Sequence, residues 1–586
     1  MLFIKNNKLR IINWFLLTFT TFITTVWINL YYIAPRNVDF NKYYDYINYF
    51  LGADVEIKYG QGALYYFLIS IPFKRNILFA DHKSLEIILN YAIQNINLIF
   101  YLIGLYGLYK FLKFLGFEEN LIFLSLCLLN FFPQAIYMRA VMKPEIIAFS
   151  FFPWVLYFIE KYKNDKNILN LYYAIPFLLL IFISKGSVGS MAFVYLLITY
   201  YPLAKKLQIK KLLILILISL SLFSFLHYEN YLITGNNLFE REYEEEYDNR
   251  AKLSSVFNLN IKKVFTDQKF TYSNTEINVH ADSILNISIL DSFGDYFNQL
   301  FNDDVNYFSQ NRKDLFTSEG SLLFNNDRQI LYKGPLSSVL DTNLDAIRRA
   351  LSSLISIIFY FYLTYLIYKD KENRKFYIMP LVGMAMLFIN SLGIPSNNYN
   401  PNLGDTYKTF YYSFLISITF LFVMLKILKH LKYLKILFVL LWIITILFIA
   451  GHPKAVSQEH SDYLVTRNEH SLLCSINNIV FFENKLIKMI HSSGIEEEFR
   501  PDCFKSIPNL PLDNESKRDT EFCFNSNSKI NKTTSSYPGC RLIILDYLFT
   551  SEEKMPIKYP LIPIFLLFFI FAIVFNDSKF KTKITN

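Results

Sequence analysis

The sequence predicts an all-α polytopic membrane protein of about twelve transmembrane helices, with outside loops that include a small disulfide-bearing segment. Of its 586 residues, 53% are hydrophobic, and the mean hydropathy of +0.26 is too high for an ordinary soluble protein. The apolar residues come in blocks of roughly 17–25, the length that crosses a hydrocarbon core of about 30 Å. Phenylalanine and tyrosine are abundant, which suits lipid-facing and interfacial positions.

The apolar blocks define the candidate spans in chain order. The stretch Lys185-Gly-Ser-Val-Gly-Ser190 breaks the apolar sequence between 168 and 204. This part of the chain could therefore form a shallow helical hairpin in place of two full spans. The spans lie at about 12–32, 86–112, 120–138, 146–160, 168–184, 188–204, 211–228, 347–368, 376–393, 409–426, 434–451 and 558–575.

The distribution of positive charge predicts the orientation of these spans. Lys5, Lys8 and Arg10 precede the first apolar block, which favours a cytoplasmic N-terminus. Lysine-rich connections then alternate with connections poor in positive charge, so both termini are predicted to be cytoplasmic. The first block is too long for the apolar region of a signal peptide. The net charge of +9 arises at the ends of apolar blocks, and we therefore expect no nucleic-acid partner.

This topology divides the chain into three parts. Residues 1–451 form a transmembrane core with outside loops at 34–85 and 229–346, residues 452–557 form an exported segment, and residues 558–586 form a final helix and cytoplasmic tail. The exported segment contains Cys474, Cys503, Cys523 and Cys540, whereas Cys127 lies in a span. An oxidising compartment favours two disulfides, and three pairings are possible.

Two carboxylates and several cations are predicted just outside the spans on one side of the membrane. Asp39 follows the first span, and Glu145 begins the fourth directly after Pro144, where a carboxylate also favours the positive end of the helix dipole. A carboxylate that activates a hydroxyl and cations that hold a phosphate are the groups that sugar transfer from a lipid phosphate needs. The cations are Arg139, Lys143, Lys185 and Lys408.

Structural roles are the alternative for each of these residues. Asp39 could cap a helix, Glu145 could only complement its helix dipole, and Lys143 and Lys408 could be interfacial anchors. Lys185 interrupts an apolar stretch, and a cation at that depth is a functional candidate by default. The sequence contains no nucleotide-binding loop, no His-Glu-x-x-His and no Gly-x-Ser-x-Gly, so soluble nucleotide-dependent chemistry has no support.

Four short motifs, in order, resemble the glycosyltransferase C superfamily, whose members include protein O-mannosyltransferases and lipid A aminoarabinose transferases. They are Asp39 with Tyr43, the stretch Tyr59-Gly-Gln-Gly-Ala-Leu-Tyr-Tyr66, the triplet Lys143-Pro144-Glu145, and the stretch from Gly404-Asp-Thr-Tyr-Lys408 through Tyr412. The resemblance covers roughly residues 10–430. Phe40 stands where many members have a second acidic residue, and Gln61 replaces a usual proline, which leaves metal use and donor identity open.

The resemblance implies a role for each candidate. Asp39 is the expected base, Glu145 a second catalytic carboxylate near the acceptor or a metal, and Lys408 and Arg139 ligands of the lipid phosphate. Tyr43, Tyr59, Lys143 and Lys185 are the other expected substrate-binding residues. The implied donor is a polyprenyl-phosphate-linked sugar, and the acceptor is a lipid, a glycan or a protein. The resemblance is compatible with a divalent cation, Mg²⁺ or Mn²⁺, as a cofactor, but does not require one.

The implied location is a bacterial inner membrane, with membrane lipids around the protein and an endoplasmic reticulum membrane as the alternative. Three other functions are compatible with the sequence. One is an O-antigen polymerase or ligase type of polytopic glycan enzyme, and another is a transporter or flippase of a lipid-linked substrate. The last is a non-catalytic component of an assembly in the cell envelope.

Overall fold

Helices form almost all of the structure that the computed structural model describes. The described residues are 2–31, 46–47, 49–50, 62–75, 85–205, 209–234, 258–261, 264, 283–293, 342–393, 409–431, 434–450, 487–490, 496–499 and 560–580. The helices of the first half are α1 (Leu2–Tyr31), α2 (Ala63–Arg75), α3 (Leu85–Phe114), α4 (Glu119–Asn130), α5 (Pro133–Ala140), α6 (Glu145–Asp165), α7 (Leu169–Ser184), α8 (Gly186–Lys205) and α9 (Ile209–Thr234).

The second half continues the helical pattern and adds one small sheet. Its helices are α10 (Ile284–Phe293), α11 (Thr342–Lys369), α12 (Arg374–Tyr377), α13 (Met379–Gly393), α14 (Ser413–His430), α15 (Lys435–Ala450) and α16 (Leu561–Phe580), and a 3₁₀ turn at Thr409–Tyr412 precedes α14. Strands β1 (Ile487–Ile490) and β2 (Glu496–Phe499) pair antiparallel, with Ile487 opposite Phe499. The helical class predicted from the sequence is confirmed.

Six of the described helices are long and apolar enough to cross a membrane, so this is a membrane protein. They contain the spans 10–29, 91–114, 186–203, 213–232, 350–369 and 409–430. Helices α4 and α5 meet at an angle of 61° and together could form a seventh span. Shorter apolar helices lie at 169–184, 379–390, 435–447 and 561–574. A helix therefore lies at each predicted span, but the count of twelve crossings stays a prediction.

Helix α6 lies at the centre of the bundle, where it packs against α3, α7 and α14. Its side chains are buried from Glu145 to Glu160, along more than four helical turns. Trp154 of α6 fits against Gly107 of α3, where a Cβ atom would lie 2.7 Å from the indole nitrogen, and that nitrogen donates to the Ile103 carbonyl at 3.2 Å. Close helix packing at small residues therefore holds the core that positions both ends of α6.

Charged groups gather at the C-terminal end of α6. Glu160 accepts hydrogen bonds from Tyr200 of α8, at 2.7 Å, and from Lys375 of α12. The short helix α12 lies in a lysine-rich connection that the charge pattern predicts to be cytoplasmic. A second ion pair, Lys426 Nζ with Asp370 Oδ2 at 2.7 Å, ties the same connection to α14. The connection is thus folded onto the bundle by buried and half-buried charges.

Candidate functional site

Glu145 is the first residue of α6 and is completely buried. Pro144 occupies the N-cap position, as its fixed φ angle allows, and the preceding turn is fastened by Asn97 of α3. The Asn97 amide donates to the carbonyls of Arg139 and Val141 at 3.1 and 2.8 Å, and its oxygen accepts from the Tyr65 hydroxyl at 2.8 Å. The turn before Glu145 is therefore held by hydrogen bonds from Asn97 of α3, and Asn97 is in turn oriented by Tyr65 of α2.

Lys185 lies opposite Glu145, in the break between α7 and α8. Its backbone is extended there, with φ −163° and ψ 117°, because the helical path stops at Ser184 and restarts at Gly186. Lys185 Nζ donates to Glu145 Oε1 at 2.7 Å, and the side-chain exposures are 10% and 0%. The two residues form a buried ion pair at the ends of adjacent helices.

An aromatic ring covers the ammonium group of this ion pair. Lys185 Nζ lies 3.9 Å from the centroid of the Tyr411 ring, in the 3₁₀ turn that leads into α14. A cation over an aromatic face is attracted by the ring quadrupole, most strongly when it is shielded from water. The stretch that ends at Tyr412 and the triplet that ends at Glu145 therefore meet at Lys185.

The second carboxylate oxygen of Glu145 is unsatisfied. Glu145 Oε2 is buried and has no hydrogen-bond partner among the residues that the structure describes. A buried acceptor without a donor costs about 1–3 kcal/mol, and more when it is charged. A hydroxyl or a water molecule that donated to Oε2 would remove this penalty, so the oxygen is suited to orient such a group.

The glycine-containing stretch before Tyr66 packs directly against the Lys185 break. Gly62 donates its backbone N–H to the Ser184 carbonyl at 3.2 Å, and a Cβ atom at Gly62 would lie 1.9 Å from the Ile183 carbonyl oxygen. Only glycine permits this approach. The next residue, Ala63, donates its N–H to Asn230 of α9 at 3.3 Å. This contact explains the glycine without reference to any ligand.

We call the place where these segments converge the Glu145 end of the bundle. It comprises the starts of α2, α6, α8 and α14 together with the end of α7. Tyr46 also reaches it, stacked on Tyr66 with ring centroids 4.5 Å apart. In the sequence, Tyr46 directly follows the segment that contains Asp39 and Tyr43, which lies outside the described residues.

Arg139 lies close to Glu145 in the sequence but has a different environment. Its guanidinium group donates to Thr24 Oγ1 of α1 at 2.8 Å and to the Asn130 carbonyl at 2.7 Å, and it lies over the Tyr101 ring at 4.4 Å. Asn130 is the last residue of α4, so Arg139 satisfies a carbonyl that the break between α4 and α5 would leave open. These contacts describe a structural residue that joins α1, α3, α4 and α5.

The remaining predicted residues divide into two groups. Lys143 is buried in the turn before α6, which does not fit the alternative of an exposed interfacial anchor. Residues outside the described part of the chain are Asp39, Tyr43, Tyr59, Lys408, Cys474, Cys503, Cys523 and Cys540. Lys408 directly precedes Thr409, the buried first residue of the 3₁₀ turn that carries Tyr411. Cys127 is a free, buried thiol in α4.

The described residues do not fit a divalent cation at this site. Mg²⁺ and Mn²⁺ prefer several oxygen ligands, often carboxylates. Glu145 Oε1 is already bonded to the Lys185 ammonium, which leaves Oε2 as the one carboxylate oxygen of this pair without a partner. No group of three potential ligands from His, Cys, Asp and Glu occurs in the described residues.

No protein-family model, curated protein or solved structure matches this chain. The assignment of chemistry therefore depends on the geometry of the site and on the sequence motifs.

Three residues that position the site were missed by sequence reasoning. Asn97 fastens the turn before Glu145, Asn230 holds the start of α2, and Tyr411 covers Lys185. A polar residue inside an apolar span is a signal in itself, because its side chain needs a partner there, and this signal could have found Asn97, which lies in the predicted span 86–112. Asn230 lies just beyond the predicted span 211–228, so this signal does not apply to it. Tyr411 lies within the fourth motif, which runs from Gly404 through Tyr412, but the motif assigned no role to this tyrosine.

Proposed function

We propose that this protein is a membrane glycosyltransferase that moves a sugar from a polyprenyl-phosphate donor to an acceptor at the Glu145 end of the bundle. The observation that supports this most directly is the buried Glu145–Lys185 ion pair, which combines a carboxylate and a cation where described residues of three sequence motifs, Gly62, Glu145 and Tyr411, come together. A membrane-anchored donor carries its phosphate at the membrane face, and helix ends are found there. The charge pattern assigns this end to the outside.

The ion pair provides a way to hold the donor phosphate. In the structure, Lys185 is neutralised by Glu145. A phosphate, like a carboxylate, accepts charge-assisted hydrogen bonds from a cation, so in this proposal it takes the place of Glu145 as the partner of Lys185. We propose that Lys408, which directly precedes the turn that carries Tyr411, is the second cation that binds the donor phosphate. The exchange leaves the Glu145 carboxylate available to the acceptor.

The transfer itself needs one base and one leaving group. The acceptor hydroxyl gives its proton to the Asp39 carboxylate, and the acceptor oxygen forms a bond to the anomeric carbon of the sugar. The bond between that carbon and the phosphate oxygen breaks, and polyprenyl phosphate departs with the electron pair. Lys185 and Lys408 stabilise the charge that develops on the phosphate. Glu145 Oε2 orients the acceptor through a hydrogen bond.

The test is transfer from a radiolabelled polyprenyl-phosphate sugar in membranes that contain the protein. Asp39→Asn preserves shape and removes the base, so we expect turnover to fall by about 10²–10⁴-fold while expression stays normal. Asp45→Asn, in the same segment, is the matched control and should transfer normally. Lys408→Ala should weaken donor binding and recover partly at high donor concentration. Near-normal transfer by Asp39→Asn would show that the proposed mechanism is wrong.

A transporter or flippase of a lipid-linked substrate is the second candidate. The observation that favours it is the presence of ion pairs at both ends of α6, the buried pair Glu145–Lys185 and the half-buried pair Glu160–Lys375. Buried charges inside membrane proteins often mark a substrate or ion pathway. Reconstituted vesicles distinguish the two functions. A flippase moves a fluorescent polyprenyl-phosphate sugar between leaflets without transferring the sugar, and a glycosyltransferase consumes it in the presence of acceptor.

The proposal also includes a topology with about twelve spans, both termini in the cytoplasm, and a bacterial inner membrane as the location. Reporter fusions should place residues 34–85, 229–346 and 452–557 outside and Lys205–Lys211 inside. Mapping of the unreduced protein by mass spectrometry should find Cys474, Cys503, Cys523 and Cys540 paired. A cytoplasmic position for Asp39 would end the glycosyltransferase proposal, because the donor phosphate and the base would then face opposite sides.

A further inference from the structure

Two pairs of side chains join helices α6 and α8, one near each end of α6. Lys185, directly before α8, donates to Glu145 at the start of α6, at 2.7 Å. Tyr200 of α8 donates its hydroxyl to Glu160 Oε1 at 2.7 Å, near the end of α6. The partners of both pairs are 40 residues apart in the sequence, so the two helices run parallel and in one register. At 1.5 Å per residue, the two contacts lie about 22 Å apart along the helices.

The second contact belongs to a largely buried polar group that we call the Glu160 cluster, formed by Glu160, Tyr200 and Lys375. Lys375 of α12 donates to the same Glu160 oxygen as Tyr200 does. Its ammonium group lies 5.3 Å from the centroid of the Tyr200 ring, and its backbone carbonyl accepts from the Tyr195 hydroxyl at 2.9 Å. Lys163 adds a longer contact of 3.6 Å to the other Glu160 oxygen. Helix α8 is therefore fastened both to α6 and to the connection that includes α12.

The same connection also holds α14, because Lys426 of α14 pairs with Asp370 at 2.7 Å. Helix α14 begins directly after the turn that places Tyr411 over Lys185. Three helices that start at the Glu145 end of the bundle, α6, α8 and α14, are thus joined by one connection nearer their other ends.

The contacts at this connection bear on the geometry of the ion pair at the Glu145 end. A buried ion pair gains little net free energy on forming, because desolvation offsets the attraction. Its closed state is therefore favoured mainly when the backbone already holds the two partners at the right distance. Helices are rigid elements, and rigid elements carry coupling between distant sites. A contact that fixes α8 against α6 at one end therefore fixes the height of Lys185 relative to Glu145 at the other.

We infer that the Glu160 cluster positions Lys185 opposite Glu145, acting through α6 and α8. The charge pattern predicts the cluster on the cytoplasmic side and the ion pair on the outer side. Loss of a contact within the cluster on one side then frees α8 to shift and opens the ion pair on the other. The inference concerns the distance between two side chains and does not depend on whether the protein transfers a sugar.

The test measures how often Lys185 leaves the ion pair. Full-length protein in detergent is treated with a water-soluble succinimidyl ester, which acylates accessible amines, and peptide mass spectrometry gives the modification rate of Lys185. Tyr200→Phe keeps the ring and removes the hydroxyl. We expect it to raise this rate about tenfold, because a hydrogen bond to a charged group shifts an equilibrium by about that factor or more. Tyr201→Phe, at the exposed neighbouring position, is the matched control and should leave the rate unchanged.

A second variant and an internal reporter separate positioning from general loosening. Lys375→Met should also accelerate the modification of Lys185, whereas Lys429→Met, at an exposed position of α14, should not. The buried thiol of Cys127 in α4 is alkylated in parallel with N-ethylmaleimide. Acceleration at Lys185 with an unchanged rate at Cys127 supports the inference.

Two results overturn the inference. An unchanged Lys185 rate in either cluster variant, once folded, shows that the ion pair is held without the Glu160 cluster. Equal acceleration at Lys185 and Cys127 shows that the cluster contributes only general stability. Tyr200→Phe decides the question if Lys375→Met does not fold. Absence of sugar transfer by the wild type contradicts the proposed function and leaves this inference standing.

Discussion

Lys185 Nζ lies 2.7 Å from Glu145 Oε1, although 40 residues separate the two in the sequence. Helices α6 and α7 are consecutive and pack against each other, so the start of α6 lies beside the end of α7. An ion pair this deeply buried contributes little net stability when intact, because the desolvation penalty offsets the attraction. Breaking it by removing one partner is costly, since the remaining charge stays buried.

The first prediction follows from this asymmetry. Lys185→Met should destabilise the protein by about 3–5 kcal/mol, because Glu145 loses its counter-charge. The double variant Lys185→Met with Glu145→Gln should recover most of that stability, since no buried charge remains unpaired. Denaturant unfolding in detergent measures both effects. Both variants should lack sugar transfer, which separates the role of the pair in function from its role in stability.

The second prediction concerns Gly62 and its contact with the end of α7. Gly62→Ala would place a Cβ atom 1.9 Å from the Ile183 carbonyl oxygen, so the backbone must move. We expect the displacement to separate Lys185 from Glu145 and to lower thermal stability. Gly116→Ala is a suitable control, because nothing lies within 4 Å of its Cβ position and the expected penalty comes only from its φ of +84°. Equal melting temperatures for the two variants would contradict the packing role of Gly62.

The third prediction distinguishes two roles for Arg139. As a structural residue it joins Thr24, Asn130 and the Tyr101 ring, so Arg139→Met should lower stability by several kcal/mol. If Arg139 is instead a phosphate ligand, Arg139→Met should leave stability normal and raise the donor concentration needed for half-maximal transfer. Melting temperature and transfer at increasing donor concentration decide between the two. Normal stability together with rescue by donor would restore the role implied by the resemblance.

The fourth prediction is a pH dependence at Asp370. Burial acts to raise the pKa of this carboxyl, but hydrogen bonds from Lys426, Asn373 and Tyr377 outweigh it and hold the pKa below its ordinary value. A carboxyl whose pKa is lower in the folded state stabilises the fold. This contribution is complete above a pH of about 3.9, the pKa of the unfolded state, and is lost as the pH falls through the pKa of the folded state. Asp370→Asn should therefore destabilise the protein by about 1–3 kcal/mol at pH 7.

Acid conditions provide the control for Asp370. As the pH falls below about 4, the stability difference between the wild type and Asp370→Asn should shrink, because the unfolded carboxyl binds its proton at a higher pH than the folded carboxyl does. Unfolding in acid-stable detergent at pH 7, 4 and 3 measures this convergence. A stability difference that stays constant over this range would show that the ionised carboxylate contributes nothing to folding.

Part of the site could be predicted from the sequence because its signals are local. Lys185 interrupts an apolar stretch, and Glu145 follows a proline at a helix start, so both were candidates before their partners were known. Arg139 shows the limit of this reasoning. It looks like a cation near the membrane face, yet its partners come from α1 and from the end of α4, which only packing brings together.

The sequence by itself determined that this is a helical membrane protein and approximately where its helices lie, because apolar block length and flanking charge depend on neighbouring residues alone. Only the tertiary structure decided that Lys185 pairs with Glu145 under Tyr411, that Gly62 is required by a backbone contact, and that α6 and α8 meet again at Glu160 and Tyr200. These relationships depend on which helices pack together. Packing between helices is decided by the shapes and partners of side chains far apart in the sequence, which no local pattern records.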